Sequence, residues 1–181
     1  SVSEKSEFKK EEFVLWVSRC EKWKSPEIVL RLARELPLLR FVLICPGQGR
    51  YFDEIRNEAE KLSNVEFIPS VSFRKIQSYF DRARIFVATS KYEGFPNTYL
   101  QACLGATPLV AYSVDPEGFI EGNEAGYCAR GNFEQFLSSV QKLFSDESTW
   151  QKCSENALQY VRVKHDIRVT GKLWQEALQK L

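Results

Sequence analysis

The sequence predicts an α/β fold: a doubly wound parallel sheet of about six strands, flanked by helices and followed by extra helices at the carboxyl end. Three observations predict it. Strand-like runs at 13–18, 40–45, 65–68, 84–89, 108–112 and 126–129 alternate with helix-like stretches, the pattern of a parallel sheet wrapped on both sides. The run Arg84-Ile85-Phe86-Val87-Ala88-Thr89 is β-branched and aromatic, the composition of a strand buried on both faces. The length of 181 residues suits one domain, which would bury about 70% of its unfolded surface. No internal repeat, low-complexity segment or linker interrupts the chain, so residues 1–181 are read as a single domain.

Val14-Leu15-Trp16-Val17-Ser18-Arg19 opens the sheet and runs into a basic loop ending in Lys24-Ser25-Pro26-Glu27. In the helix that follows, Ile28, Val29, Leu32, Ala33 and Leu36 recur along one stripe that packs on the core. Gly47-Gln48-Gly49 follows the second strand. Position 52 is Phe where a dinucleotide fingerprint needs its third Gly, so the segment reads as a tight turn, with a backbone approach to a ligand left open. After the third strand, Phe73, Ile76 and Phe80 form a second helical stripe, also read as core packing.

The fourth strand enters Ser90-Lys91-Tyr92-Glu93-Gly94-Phe95-Pro96-Asn97-Thr98, a loop built to face a ligand. Pro96 suits the first helical position, where its missing N–H loses no bond. The free N–H groups of that helix start, with the dipole behind them, make a site for anionic groups such as phosphate. Glu93 is poorly placed for an anion and is better aimed at hydroxyls or at developing positive charge. Tyr92 either covers a ligand or packs on the loop. Ligands of open α/β sheets bind outside the carboxyl ends of the strands, at the switch in strand order, and Arg19 and Glu93 both follow strands.

Beyond about residue 132 the chain turns to charged helices, at 132–145, 147–163 and roughly 168–180. Trp174, Leu178 and Leu181 give the last of these an apolar stripe that packs on the domain's own sheet. His165, the only histidine, lacks a nucleophile motif beside it and reads as a surface or helix-junction residue.

A net charge of +1 with mixed signs recommends neither nucleic acid nor an anionic membrane. The apolar runs are strand-length, far short of the ~20 residues that span a bilayer, and cytoplasmic placement is expected. Five cysteines without a Cys-x-x-Cys suggest reduced, mostly buried thiols and no zinc site.

Glu93-Gly94-Phe95-Pro96-Asn97-Thr98, with a polar residue at 101 and Ala102 after it, resembles the donor-site signature of the retaining family-4 glycosyltransferases, among the glycosyl transferases group 1. The resemblance implies the carboxyl-terminal, Rossmann-like half of a two-domain GT-B enzyme of polysaccharide or glycolipid biosynthesis. It makes Glu93 the catalytic residue that contacts the donor sugar, and Gly94, Phe95, Pro96, Asn97 and Thr98 the donor loop. Arg19 and Lys24 match the cationic pair that neutralises the departing diphosphate. The chain has no Asp-x-Asp to hold a metal there, which fits a metal-independent reaction without cofactor. Gln101 stands where the family has a second Glu for the ribose; its amide still hydrogen-bonds a diol but carries no charge. Ser70 and Val71 resemble the segment that presents main chain to the base, with Ile76 beneath the ribose, although the family usually has Gly at position 70.

The implied partners are a UDP-, GDP- or ADP-linked sugar and, through an amino-terminal domain, an acceptor sugar or lipid-linked glycan. Residues 1–11 do not suffice for that domain, so the chain is expected to be a fragment, inactive alone, of an enzyme that is cytoplasmic or membrane-peripheral. In the two-domain family the last helix crosses to the other domain, an alternative for the stripe at Trp174. A non-catalytic nucleotide-sugar binding module, one subunit of a split transferase, and a GT-B-type epimerase are the other readings. The Glu93–Asn97 run speaks against the epimerase.

Overall fold

The structure, a computed structural model, describes residues 9–164. The helix expected at 168–180, with Trp174, Leu178 and Leu181, lies outside the described residues, as does His165. Six strands alternate with helices: β1 (Glu11–Val17), α1 (Pro26–Glu35), β2 (Arg40–Ile44), α2 (Arg50–Glu60), β3 (Val65–Ile68), α3 (Phe73–Arg82), β4 (Ala83–Ala88), α4 (Asn97–Leu104), β5 (Leu109–Ala111), α5 (Phe119–Gly122), β6 (Gly126–Cys128), α6 (Phe133–Ser145) and α7 (Glu147–Lys164).

All the pairings are parallel, in the order β3-β2-β1-β4-β5-β6. The first three strands run outward from β1 on one side and the last three from β4 on the other. The order therefore reverses between β1 and β4, leaving a crevice outside their carboxyl ends.

Both faces of the sheet are buried, which is why its strands read as continuous apolar runs. Alternate residues of β1 serve opposite layers. Val14 and Trp16 join Phe41, Leu43, Ile85 and Val87 beneath α1 and α6. Phe13 and Leu15 join Val42, Ile44 and Phe86 beneath α3, α4 and α7. At the amino ends of the strands, Arg84 is held by Glu147 at 2.6 Å and lies 4.3 Å from the Trp150 ring, whose Nε1 donates to the Arg84 carbonyl.

The stripe of α1 is buried at Val29, Leu32, Ala33 and Leu36, with Ile28 half-buried, and Leu30 joins it. The stripe of α3 needs correction. Phe80 is buried and Ile76 half-buried, but Phe73 is 89% exposed. Phe73 is the first residue of its helix, and a helical side chain leans back toward the amino terminus, so it has no preceding turn to cover. Asn132 caps α6, its side chain accepting from Gln135 N at 3.1 Å. Among the described residues no helix is long and apolar enough to cross a membrane.

Candidate active site

The carboxyl ends of β1 and β4 release two loops that are bonded to each other across more than sixty positions of sequence. Thr89, buried at the end of β4, is the link between them. Its Oγ1 donates to the Lys24 carbonyl at 2.6 Å and accepts from Trp16 Nε1 at 2.9 Å. Lys91 N donates to the Trp23 carbonyl at 2.8 Å. The Trp23 and Tyr92 rings stack, 5.0 Å between centroids and 6° between planes. Tyr92 thus packs on Trp23 of the opposite loop while staying 62% exposed.

These bonds bring Lys24 to Glu93. The lysine Nζ bonds Glu93 Oε1, and Ser90 Oγ donates to the same oxygen at 2.7 Å. The two charged side chains are only 14% and 13% exposed, so the pair is well shielded from solvent. Lys24 Nζ also sits 3.8 Å from the centre of the Trp23 ring, a cation–π contact. Arg19 is 71% exposed and pairs with Glu21 at 3.1 Å, the surface ion pair of a residue at the rim.

The crevice between these loops is a cleft of about 510 Å³. Arg19 and Lys24 line it from the β1 side, Glu93, Phe95, Pro96, Asn97 and Thr98 from the β4 side, and Ser70, Val71 and Ile76 from the β3 side. Gly94 and Gln101 do not line it. Gln101 sits in the second turn of α4, half-buried, and its carbonyl accepts from Gln77 Nε2 at 3.0 Å. Phe95 packs edge-on against Phe119, 5.2 Å between centroids.

The start of α4 falls one residue later than the sequence predicts. Pro96 is the cap, with φ −69° and ψ 129°, and its carbonyl accepts from Tyr99 N at 3.0 Å. Asn97 and Thr98 are then the first two helical residues, whose amides have no partner within the helix. Gly47 explains itself sterically. A Cβ there would lie 2.6 Å from the Cys20 Cβ and 2.8 Å from the Phe52 ring, so the turn after β2 must pass close to the loop after β1. Phe52 is buried, in keeping with a tight turn.

Sequence reasoning placed Ser90 in the ligand-facing loop without giving it a role, and it missed Trp16, Ser18, Trp23 and Thr89; all five line the cleft. A signal existed for Thr89 and Ser90: polar residues closing a strand of buried apolar ones need partners. None existed for Trp23, whose position depends on Tyr92 far along the chain. The five cysteines are unpaired and all but Cys20 are buried; burial pushes the Cys103 thiol up to about 12.

The sheet gathers an acid, two cations and a helix start at its switch point, where open parallel sheets form their ligand crevices. The chain matches the glycosyl transferases group 1 over residues 2–160 and belongs to that family. It is 30% identical over 131 residues to the poly(glycerol-phosphate) alpha-glucosyltransferase of Bacillus subtilis, an alignment covering 70% of this chain and 19% of that protein. Staphylococcus aureus TarM superposes with a TM-score of 0.78 at 20% identity, over 95% of this chain and 36% of TarM. The C-terminal domain of the Francisella tularensis group 1 glycosyl transferase LpcC superposes with a TM-score of 0.69 at 20% identity, over 88% of this chain and 89% of that domain. The chain thus has the Rossmann-like fold found in GT-B glycosyltransferases and spans a minor part of the full-length proteins it matches.

Proposed function

We propose that this domain binds a nucleoside diphosphate sugar in the cleft at the β1/β4 switch point, and that in the complete enzyme the sugar passes to an acceptor hydroxyl with retention of configuration. One observation carries the reading: Lys24, Arg19, Glu93 and the first amides of α4 converge on a single 510 Å³ cleft. Cations and unpartnered amides suit a diphosphate, and a carboxylate beside them suits a sugar whose ring gains positive charge as the bond to phosphate breaks.

Lys24 and Arg19 would take up the negative charge that grows on the leaving diphosphate, with Asn97 and Thr98 donating from the helix start. Interactions that strengthen as charge develops lower the barrier, whereas those equal in ground and transition states only hold the substrate. Two side-chain cations and a helix start would do this without a metal ion. Glu93 would orient the sugar and offset the charge on its ring. Ser70, Val71 and Ile76, on the β3 wall, would meet the nucleoside. Gln101 would reach the ribose only by turning toward a cleft it does not line in this structure. The unpaired, mostly buried thiols suit a reducing cytoplasm.

Calorimetric titration of the chain with UDP, GDP and ADP tests the reading. Uridine comes first because the TarM structure holds UDP. One nucleotide is expected to bind with a dissociation constant between high micromolar and millimolar, about −4 to −6 kcal/mol, and to lose affinity in Arg19→Ala. No binding of any of the three at millimolar concentration would overturn it.

A further inference from the structure

Lys24 has two claims on its charge. As a donor site, Lys24 would face a diphosphate and Glu93 a sugar, yet the two side chains are bonded to each other. We propose that Lys24 is exchanged between two anions, Glu93 and the donor diphosphate, and that Trp23 is the positioning residue that keeps its ammonium between them. This rests on the functional reading and adds to it an order of events: the arriving phosphates draw Lys24 away and so uncover Glu93 for the sugar.

The geometry supports exchange rather than a fixed pair. The Lys24 main chain is pinned, its carbonyl accepting from Thr89 Oγ1, so only the flexible side chain can move. Its ammonium rests 3.8 Å from the centre of the Trp23 ring. A cation over an aromatic face is held by the ring's quadrupole, which has no single preferred bond direction in the plane. The ammonium can therefore shift across the face while remaining held. The ring is itself braced: Tyr92 stacks on it and Lys91 N fixes its carbonyl.

Glu93 is equipped for the departure. Ser90 Oγ donates to the same carboxylate oxygen and comes from the same loop, so it stays when Lys24 leaves. The carboxylate keeps a donor and loses its neutralising partner, so its negative charge faces the sugar ring uncompensated. Arg19 cannot stand in for Lys24 in this role, being largely exposed and tied to Glu21 at the rim.

Exchange has a consequence opposite to the usual loss on mutating a site residue. While Glu93 competes for Lys24, it opposes the binding of a nucleotide that has phosphates but no sugar. Removing the Glu93 charge should therefore tighten that binding, and only when Lys24 is present.

The test is a double-mutant cycle with the full chain, titrating the unsubstituted nucleoside diphosphate against wild type, Glu93→Gln, Lys24→Met and the double variant. Glu93→Gln is expected to bind about fivefold or more tightly than wild type, within the usual range of coupling between sites. In the Lys24→Met background the same change should move affinity by less than about twofold, the limit of additivity for uncoupled sites. Trp23→Leu should still bind nucleotide yet gain nothing from Glu93→Gln, while Trp23→Phe preserves the gain; a misfolded Trp23→Leu chain would instead bind nothing. Equal gains with and without Lys24 would mean simple repulsion between Glu93 and phosphate, and would overturn the proposal. So would unchanged or weaker binding by Glu93→Gln. Failure of every variant to bind nucleotide would instead remove the functional reading itself, and the proposal with it.

Discussion

Thr89 shows how one side chain sets the site without touching the chemistry. It accepts from Trp16 Nε1 in the core and donates to the Lys24 carbonyl in the loop, so the strand end and the cationic loop share a single hydroxyl. Thr89→Val keeps the shape and deletes both bonds, leaving a buried indole N–H unpaired. A loss of about 1–3 kcal/mol in chemical denaturation is expected, along with weaker nucleotide binding as Lys24 loses its anchor. Unchanged stability would show that water or another group takes over the bonds. Lys10 offers a residue-scale test in pH. Its ammonium donates to the Gly105 carbonyl and Thr107 Oγ1, both at 2.6 Å, and burial pulls its pKa down to about 7 against the opposing influence of Asp81. The unfolded lysine titrates near 10.4, so between about pH 7 and 10.4 the unfolded chain holds more protons and stability rises with pH. Comparing urea midpoints at pH 7 and pH 9.5, the wild type should gain on Lys10→Met across that window. A constant difference between the two would contradict the shift.

At the scale of elements, the strands were legible because a sheet covered on both faces writes itself as unbroken apolar runs, and each predicted run matches a strand to within two residues at either end. The α1 stripe was legible for the same reason of burial. Phe73 was not, because a 3.6-residue period marks a helix face but not where the helix ends relative to the sheet it covers. The one-residue offset at Pro96 has a similar origin: proline's fixed φ suits both the cap and the first helical position, and the extended ψ of 129° decides for the cap. Within the site, the loop residues nearest the signature could be read locally. The contact of Lys24 with Glu93 could not, since it depends on β1 and β4 lying side by side, which no local pattern states. Gly47 tests this layer directly. Gly47→Ala should destabilise by about 1–3 kcal/mol in thermal or urea unfolding, because its methyl group would push on Cys20 and the Phe52 ring. The Arg19 loop would shift with Cys20, so nucleotide affinity should fall as well; full stability would show that the ring yields freely.

At the scale of the whole molecule, the parallel sheet explains why residues from three loops can meet at one place. Every strand delivers its carboxyl end to the same edge, and the reversal of order at β1 and β4 separates the flanking connections there. In the proposed two-domain enzyme, a second domain would close this cleft and supply the acceptor. This chain by itself is accordingly expected to bind donor without turning it over, measured as nucleotide release from a nucleotide sugar in the presence of candidate acceptors. Sustained transfer by the isolated chain would show that the acceptor site lies within these residues. The most direct measurement is a crystal structure of the chain with the nucleoside diphosphate that binds it best. The diphosphate is predicted to lie in the β1/β4 cleft, within hydrogen-bond distance of Lys24 and the amides of Asn97 and Thr98, with the Lys24 ammonium drawn off Glu93. A nucleotide seated elsewhere, on the Gly47–Gly49 turn for example, or one whose phosphates leave Lys24 on Glu93, would contradict the account.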